Sequence, residues 1–475
     1  MKLATKVFLV IFCAVFASPA WSQFVPSGTR WLEHLNDDLL PFWTAETALG
    51  RPLGAFPSIR CNDRTLYDAR RPCPEVTSSS LHQRFLVALS RQSYGYGVAY
   101  HLTGKSLYLT YMKAGIDFIR QNAMDRVNGG MATTQNLAKD SWGPSPELRT
   151  AQQLAYGLLG MSFYYYLTRD EDVLHDILAV KDYIFDKYGT PTGMLRWQLP
   201  YKGAREERSL VAQLDQMNSY LVLLAPILPE PAQSEWKRNL LQLSHVMIDL
   251  FYSPADKLFF NNANQPTDTI LANTSTDFGH NAKALWMIRW AGLITGDVEL
   301  LKFTRDNAQT LIPRAYIMSC GCWAGGLLAG GALDLDKSWW VYAELDQLAG
   351  TLALVEPSYT RYLSSAYNYW FTYFVDKQYG EVWGAINGRT HAPLSQSPKE
   401  WEWKNAYHSF EHALVGYIVA QQLNDKPVTL YYAFPNDEPA KSAKPYFYSG
   451  SIVSIEAVMD SEGRRSQKVT FDNVR

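Results

Sequence analysis

At 475 residues the chain exceeds the size at which one hydrophobic core ordinarily stops growing, so it holds two domains or one large closed architecture. Hydrophobic residues make up 47% and charged residues 19% of it, a balance that excludes the disordered class. A net charge of -2 leaves no basic excess to neutralise phosphates, which argues against nucleic acid and anionic membranes as partners. The 15 Trp, 29 Tyr and 21 Phe exceed what a core needs, and flat rings of this kind suit the CH faces of carbohydrates.

In chain order, Lys2 and Lys6, the apolar run from Val7 to Ala17 and Ala20-Trp21-Ser22 read as a signal peptide over 1–22. Phe12 before Cys13 is too large for a lipoprotein-type cleavage site, so no lipid anchor is expected. The run is too short for a membrane-spanning helix, which needs about 20 residues, and no later segment qualifies. The expected location is secreted or periplasmic, where Cys61, Cys73, Cys320 and Cys322 can form disulfides. Cys61 and Cys73 are the plausible local pair, and Cys320-Gly321-Cys322 is expected to be too tight for a relaxed bridge. Neither pair has the C-x-x-C spacing of a zinc site.

Apolar residues then recur near the helical period in about twelve segments, from 29–45 to 405–422. Leu102-Thr103-Gly104-Lys105, Leu167-Thr168-Arg169-Asp170 and Ile294-Thr295-Gly296-Asp297 each end one helix and begin the next almost at once, so the flanking helices are antiparallel neighbours. A second break places Asp shortly before Gly, at Asp125 and Gly129, Asp186 and Gly189, and Asp376 and Gly380. Six such hairpins bury all their apolar faces by closing into a ring, an all-α (α/α)6 barrel over 23–424. From 425 to 475 the pattern becomes β-rich, and a small antiparallel appendage without chemistry of its own is expected.

Two of the nine histidines occupy matching places. His280 follows the capping stretch Ser275-Thr276-Asp277-Phe278-Gly279, and His408 follows Trp401 to Tyr407; each stands at a helix start, among aromatics. In Asp336 to Glu344, Trp340 and Glu344 share a helix face, which fits a sugar platform backed by a carboxylate as well as ordinary packing.

The order Gly279-His280, then Lys337-x-Trp339-Trp340-x-x-Ala343-Glu344, then Asp376-x-x-x-Gly380-Glu381, then Trp403-Lys404-x-x-Tyr407-His408 resembles the N-acylglucosamine 2-epimerase family, which includes cellobiose 2-epimerases and aldose-ketose isomerases. The likeness runs from about Leu81 to Leu423. It implies an (α/α)6 barrel in which His280 and His408 act as acid and base at C2 of a mono- or oligosaccharide. It also implies that Arg91 holds the open-chain carbonyl oxygen, that Asn218 contacts substrate, and that His391 matches a further histidine with a one-residue offset. Trp339, Trp340, Glu344, Trp403 and Tyr407 complete the expected sugar-binding set. The chemistry needs no metal or nucleotide cofactor: the carbonyl acidifies the C2 proton, one imidazole removes it, a cation stabilises the enediolate and a second imidazole returns a proton.

The chain departs from the family pattern at Lys283 and Glu411, where Glu and Arg are usual; an ion pair between the two would preserve the charges with exchanged signs. The family's histidine near Asn218 and its following acid are also missing, with Tyr220 or Val222 and Ala225 in their places. Two other enzyme readings compete. His408-Ser409-Phe410-Glu411-His412 spells the inverted zinc-protease motif. Asp215, Asp277, Glu344 and Glu411 could supply the two carboxyl groups, about 6.5 to 9.5 Å apart, of an inverting glycoside hydrolase. A sugar-binding protein that has lost catalysis is the non-enzymatic alternative.

Overall fold

Asp and Thr side chains start the helices and left-handed residues stop them. Asp170 and Asp297 each accept two backbone N–H groups of the following turn, and Thr150 forms a reciprocal cap with Gln153. Gly104, Arg169 and Gly296 take positive φ angles of 70°, 58° and 77° just past three helices, in the breaks read from sequence. The computed structural model describes residues 25–76, 81–200, 208–262, 270–459 and 463–475; the expected signal peptide at 1–22 lies outside them.

Twelve helical runs make the barrel among the described residues. In chain order they are α1 (Gly28–Glu33, continued through a wide turn at His34–Leu39 to Leu40–Trp43), α2 (Leu86–Thr103), α3 (Ser106–Asn122), α4 (Ala151–Thr168), α5 (Glu171–Tyr188) and α6 (Leu210–Gln216, Met217–Leu221 and Val222–Leu224). There follow α7 (Ala232–Phe251), α8 (Phe278–Thr295), α9 (Val298–Ala315), α10 (Trp339–Ala353), α11 (Thr360–Tyr369 and Trp370–Phe374) and α12 (Ala406–Leu423). Helix α2 packs on α4, α4 on α6, α6 on α8, α8 on α10, α10 on α12, and α12 back on α2, which closes an inner ring. The outer helices α3, α5, α7, α9 and α11 pack on α2, α4, α6, α8 and α10, and α1 completes the outer layer against α12. Inner helices are buried nearly all round, whereas outer helices bury one stripe, as two concentric layers require. Small residues set the inner spacing: a Cβ on Gly160 would lie 2.6 Å from the Ser90 carbonyl oxygen.

Because each hairpin is antiparallel, all six inner helices start at one end of the barrel. The long loops gather there. Buried ion pairs brace them: Arg60 Nε to Glu400 Oε2 at 2.5 Å, Lys399 Nζ to Asp376 Oδ2 at 2.6 Å, and Lys404 Nζ to Glu381 Oε1 at 2.7 Å. The Asp376 to Glu381 motif is therefore structural, and it fixes the segment leading into α12. Cys61 and Cys73 form the expected disulfide, Cα to Cα 5.9 Å. Cys320 and Cys322 are bonded as well, against expectation; Gly321 at φ 60° folds the chain back so that their Cα atoms stand 5.3 Å apart.

The opposite end carries the C-terminal extension. Strands β1 (Val428–Tyr432), β2 (Ser451–Met459) and β3 (Arg465–Asp472) form an antiparallel sheet with β3 in the centre, pairing Leu430 with Val469 and Ile455 with Val469. The Tyr431 carbonyl bonds His101 of α2, and the Ala433 N–H donates to Leu167 of α4. The segment Pro445-Tyr446-Phe447-Tyr448 is buried against the base of the inner ring. No helix of the described residues is long and apolar enough to cross a membrane.

Candidate active site

His280 and His408 are each the third residue of an inner helix, α8 and α12, at the end where all inner helices begin. Between these helices lies α10, whose first turn presents Trp339 and Trp340. Trp340 consequently stands between the two imidazoles, with ring centroids 4.6 Å from His280 and 6.1 Å from His408. Trp339 lies 6.2 Å from His408 and Tyr407 4.3 Å. Gly279 makes room for this arrangement, since a Cβ there would meet Trp340 Cζ3 at 2.4 Å. Gly279→Ala should displace the indole, costing about 1–3 kcal/mol of stability and about tenfold in turnover; thermal unfolding and steady-state kinetics check both.

Each imidazole turns Nδ1 toward a carboxylate, which leaves Nε2 for a ligand. Asp277, the N-cap of α8, accepts from the His280 backbone N–H at 2.6 Å and lies 2.8 Å from its Nδ1. His408 Nδ1 is 3.5 Å from Glu344 Oε1. Their electrostatics diverge. Burial pushes His280 down, but the Asp277 carboxylate and its hydrogen bond outweigh it, helped by Asp215, and hold the pKa above the ordinary histidine value. Burial and then the positive charges of Arg91, Lys283 and Lys404 hold His408 well below that value. His408 is therefore the imidazole that gives up its proton more readily and His280 the one that holds a proton more firmly. The His280 side chain is 27% exposed and lines a cavity of about 270 Å³ with Asp277, Asn261, Gly326 and Asp334, whereas His408 is 6% exposed beneath the tryptophans.

Arg91 enters from α2. Its guanidinium lies 3.7 Å from the Tyr156 ring centroid and 5.2 Å from that of Tyr407, Nη1 donates to the Trp403 carbonyl at 2.8 Å, and Nε carries no hydrogen bond. Asn218, on α6, donates to the Tyr407 hydroxyl at 2.6 Å while its buried Oδ1 has no partner. The fold thus brings together His280, His408, Arg91, Asn218, Trp339, Trp340, Glu344, Trp403, Tyr407, Lys283 and Glu411, all expected from sequence. It does not bring in His391: this residue, at φ 59° on the Asn387 to Ala392 turn, bonds Tyr369 through Nδ1 at 2.8 Å and packs on Tyr373 of the outer helix.

The exchanged ion pair does not form. Lys283 bonds Asp215 Oδ1 at 2.7 Å and the Tyr156 hydroxyl at 2.9 Å, because α8 neighbours α6 in the ring whereas α10 separates it from α12. Glu411 instead accepts from Tyr446 at 2.6 Å and Gln347 at 3.4 Å. Asp215, Tyr156 and Gln152, which donates to Asp215 at 2.7 Å, are site residues the sequence left without a role in this network. Glu344, His408 and Glu411 each offer an atom within 4.8 Å of the others, a set that could hold a divalent cation. Lys283 and Arg91 already supply positive charge there, so the chemistry of the surroundings does not favour one. Burial drives both carboxyls upward, and Glu411 raises Glu344 further.

The competing readings fare worse. His412 points away from His408, to Asp346 at 3.0 Å and to Trp31 and Trp370, so the two histidines of H-x-x-E-H do not converge. Asp277 is bound to His280 and Asp215 to Lys283, and the remaining pair, Glu344 and Glu411, offers oxygens within 4.8 Å of one another, closer than the inverting separation of about 6.5 to 9.5 Å.

An (α/α)6 barrel with two imidazoles and stacked aromatics at the mouth of its inner ring defines a carbohydrate-active class of protein. No family model matches the chain. It is 24% identical over 342 residues to a cellobiose 2-epimerase of Ruminococcus albus, covering 67% of this chain and 84% of the relative. Its fold superposes with a TM-score of 0.68 on the cellobiose 2-epimerase of Spirochaeta thermophila, at 18% identity over 84% of this chain and 97% of that one. It matches a D-mannose isomerase equally well, with a TM-score of 0.68 at 15% identity over 84% and 99%. These likenesses to cellobiose 2-epimerases support the resemblance to the N-acylglucosamine 2-epimerase family that the motif order carries.

Proposed function

We propose that this protein is a sugar epimerase or aldose-ketose isomerase that moves a proton at C2 of a ring-opened reducing sugar. The observation that carries this reading is the pair of imidazoles flanking Trp340 from different helices, one held below and one above the ordinary histidine pKa. His408 Nε2 takes the C2 proton; the C–H electron pair forms the C1–C2 double bond and charge moves to the carbonyl oxygen, which Arg91 stabilises. His280 then delivers its proton to the other face of C2, giving the epimer, or a proton reaches C1 while the C2 hydroxyl passes its proton to O1, and the product is the ketose. Asp277 keeps the His280 proton on the ring in the resting state. Trp340, Trp339 and Trp403 offer faces on which a sugar stacks.

Relatives named for cellobiose and D-mannose make reducing disaccharides and aldohexoses the first substrates to try. The apparent signal at 1–22 supports action on sugars outside the cytoplasm. The test is solvent deuterium incorporation at C2 of these sugars, read by NMR; no incorporation into any of them overturns the reading. Asp277→Asn removes the carboxylate that raises the His280 pKa. The basic limb of kcat/KM should therefore move to lower pH, and activity near pH 8 should fall about tenfold for each pH unit that the limb moves. A pH profile measured on the variant checks this.

A further inference from the structure

We propose that the C-terminal extension is part of the working site, with Tyr446 as a positioning residue that pins Glu411 and, through it, the Glu344 and His408 pair. The extension reaches the barrel from the end opposite the mouth. Its Pro445 to Tyr448 segment inserts into the base of the inner ring, where Phe447 packs on Trp286 and Trp290, and the Tyr448 hydroxyl meets Thr351 Oγ1 at 2.8 Å. Tyr446 goes further in. Its hydroxyl donates to Glu411 Oε1 at 2.6 Å and accepts from Tyr94 at 3.0 Å, and its backbone N–H donates to the Tyr166 hydroxyl at 2.9 Å.

Packing alone does not account for this. Tyr446 holds φ at 60°, a left-handed conformation that costs a side-chain-bearing residue of order 1–3 kcal/mol and persists only where the surroundings enforce it. The strain is spent on delivering one hydroxyl to one fully buried carboxyl. The remaining partners of Glu411 are the Gln347 amide at 3.4 Å and the Tyr407 hydroxyl. The neighbouring Glu344 has no hydrogen bond on either oxygen, and Glu344 is the group that His408 Nδ1 faces. The three offer atoms within 4.8 Å of one another, so what happens to one carboxyl is felt by the imidazole.

The charged and titratable groups facing this cluster are Arg91 and Tyr94 from α2, Asp215 from α6, Lys283 and His280 from α8, and Tyr407 with nearby Lys404 on the α12 side. All of them remain in Tyr446→Phe, which keeps the ring and removes only the donor. Glu411 then ionises less readily. Glu344, relieved of a neighbouring charge, ionises more readily, and His408 beside it binds a proton more readily.

The experiment is a pH titration of the imidazoles in the full chain carrying ¹⁵N-labelled histidine, with the His408 signal identified by its loss in His408→Gln. Tyr446→Phe should move the His408 titration upward by about half a pH unit or more, and Tyr448→Phe, in the same plug but bonded to Thr351 instead of Glu411, should leave it in place. An unmoved titration in Tyr446→Phe, or an equal movement in both variants, overturns the proposal. The inference rests on the C2 proton-transfer reading for its meaning, but the titration needs no substrate: if the wild type exchanges no C2 hydrogen, that reading falls while the titration still judges Tyr446. With C2 exchange present, the acid limb of kcat/KM should follow the His408 titration upward.

Discussion

His408→Ala and His280→Ala should each lower epimer formation by about 10²- to 10⁴-fold, the range removed with one general acid or base, and each should leave C2 exchange running in a different epimer. The two helices that carry the histidines are separated in the ring by α10, so the imidazoles approach the space around Trp340 from two sides. A sugar seated there presents its C2–H to one ring in one epimer and to the other ring in the other. With His280 removed, His408 still takes the proton it faces and returns deuterium from solvent to the same face, so one epimer becomes labelled without inversion. With His408 removed, the labelled epimer is the other one. NMR of each pure epimer incubated in deuterated buffer with each variant reads all four combinations. Loss of exchange from the same epimer in both variants, or near wild-type inversion in either, defeats the two-base scheme.

The fold was legible because concentric layers leave a strong mark on sequence. Each of the twelve segments read from apolar period corresponds to a helical run, and the breaks at Gly104, Arg169 and Gly296 fall where the chain adopts positive φ. Boundaries slipped where another hydrogen-bond partner competed: Gln83–Phe85 pairs as a strand with Thr134–Asn136 instead of extending α2, and Thr150 caps α4 after a turn that begins at Pro146. Helical spacing also located the catalytic candidates, since a cap followed by a histidine at the third helical residue is a local pattern. Partnerships between helices were not legible. Whether Lys283 meets Asp215 or Glu411 depends on which inner helices adjoin, and whether His391 reaches the cavity depends on the turn that carries it. Tyr446 lies in a segment whose only sequence signal was a change of period, so nothing marked it as a neighbour of Glu411.

Lys283→Met should destabilise the barrel by about 3–5 kcal/mol, the cost of leaving a buried charge without its partner. Asp215 is 1% exposed and lies inside the ring, where its oxygens are arranged around the Lys283 ammonium with the Tyr156 hydroxyl and the Gln152 amide as further donors. Burial opposes ionisation of Asp215, yet Lys283 holds its pKa below the usual carboxylate value, and Asp215 in turn raises that of Lys283. Each charge is tolerated because of the other. Adding Asp215→Leu to Lys283→Met removes the stranded carboxylate, so the double variant should recover most of the loss, and the non-additivity read from denaturant midpoints measures the coupling. A single variant costing under about 1 kcal/mol would mean that water reaches the pair. The same double variant has a catalytic consequence of known sign. Lys283 is one of the cations holding His408 below its ordinary pKa, so its loss moves the acid limb of activity to higher pH even where stability has been restored. Stability and proton affinity thus part company in the double variant, which separates the packing role of the Lys283 and Asp215 pair from its hold on the catalytic imidazole.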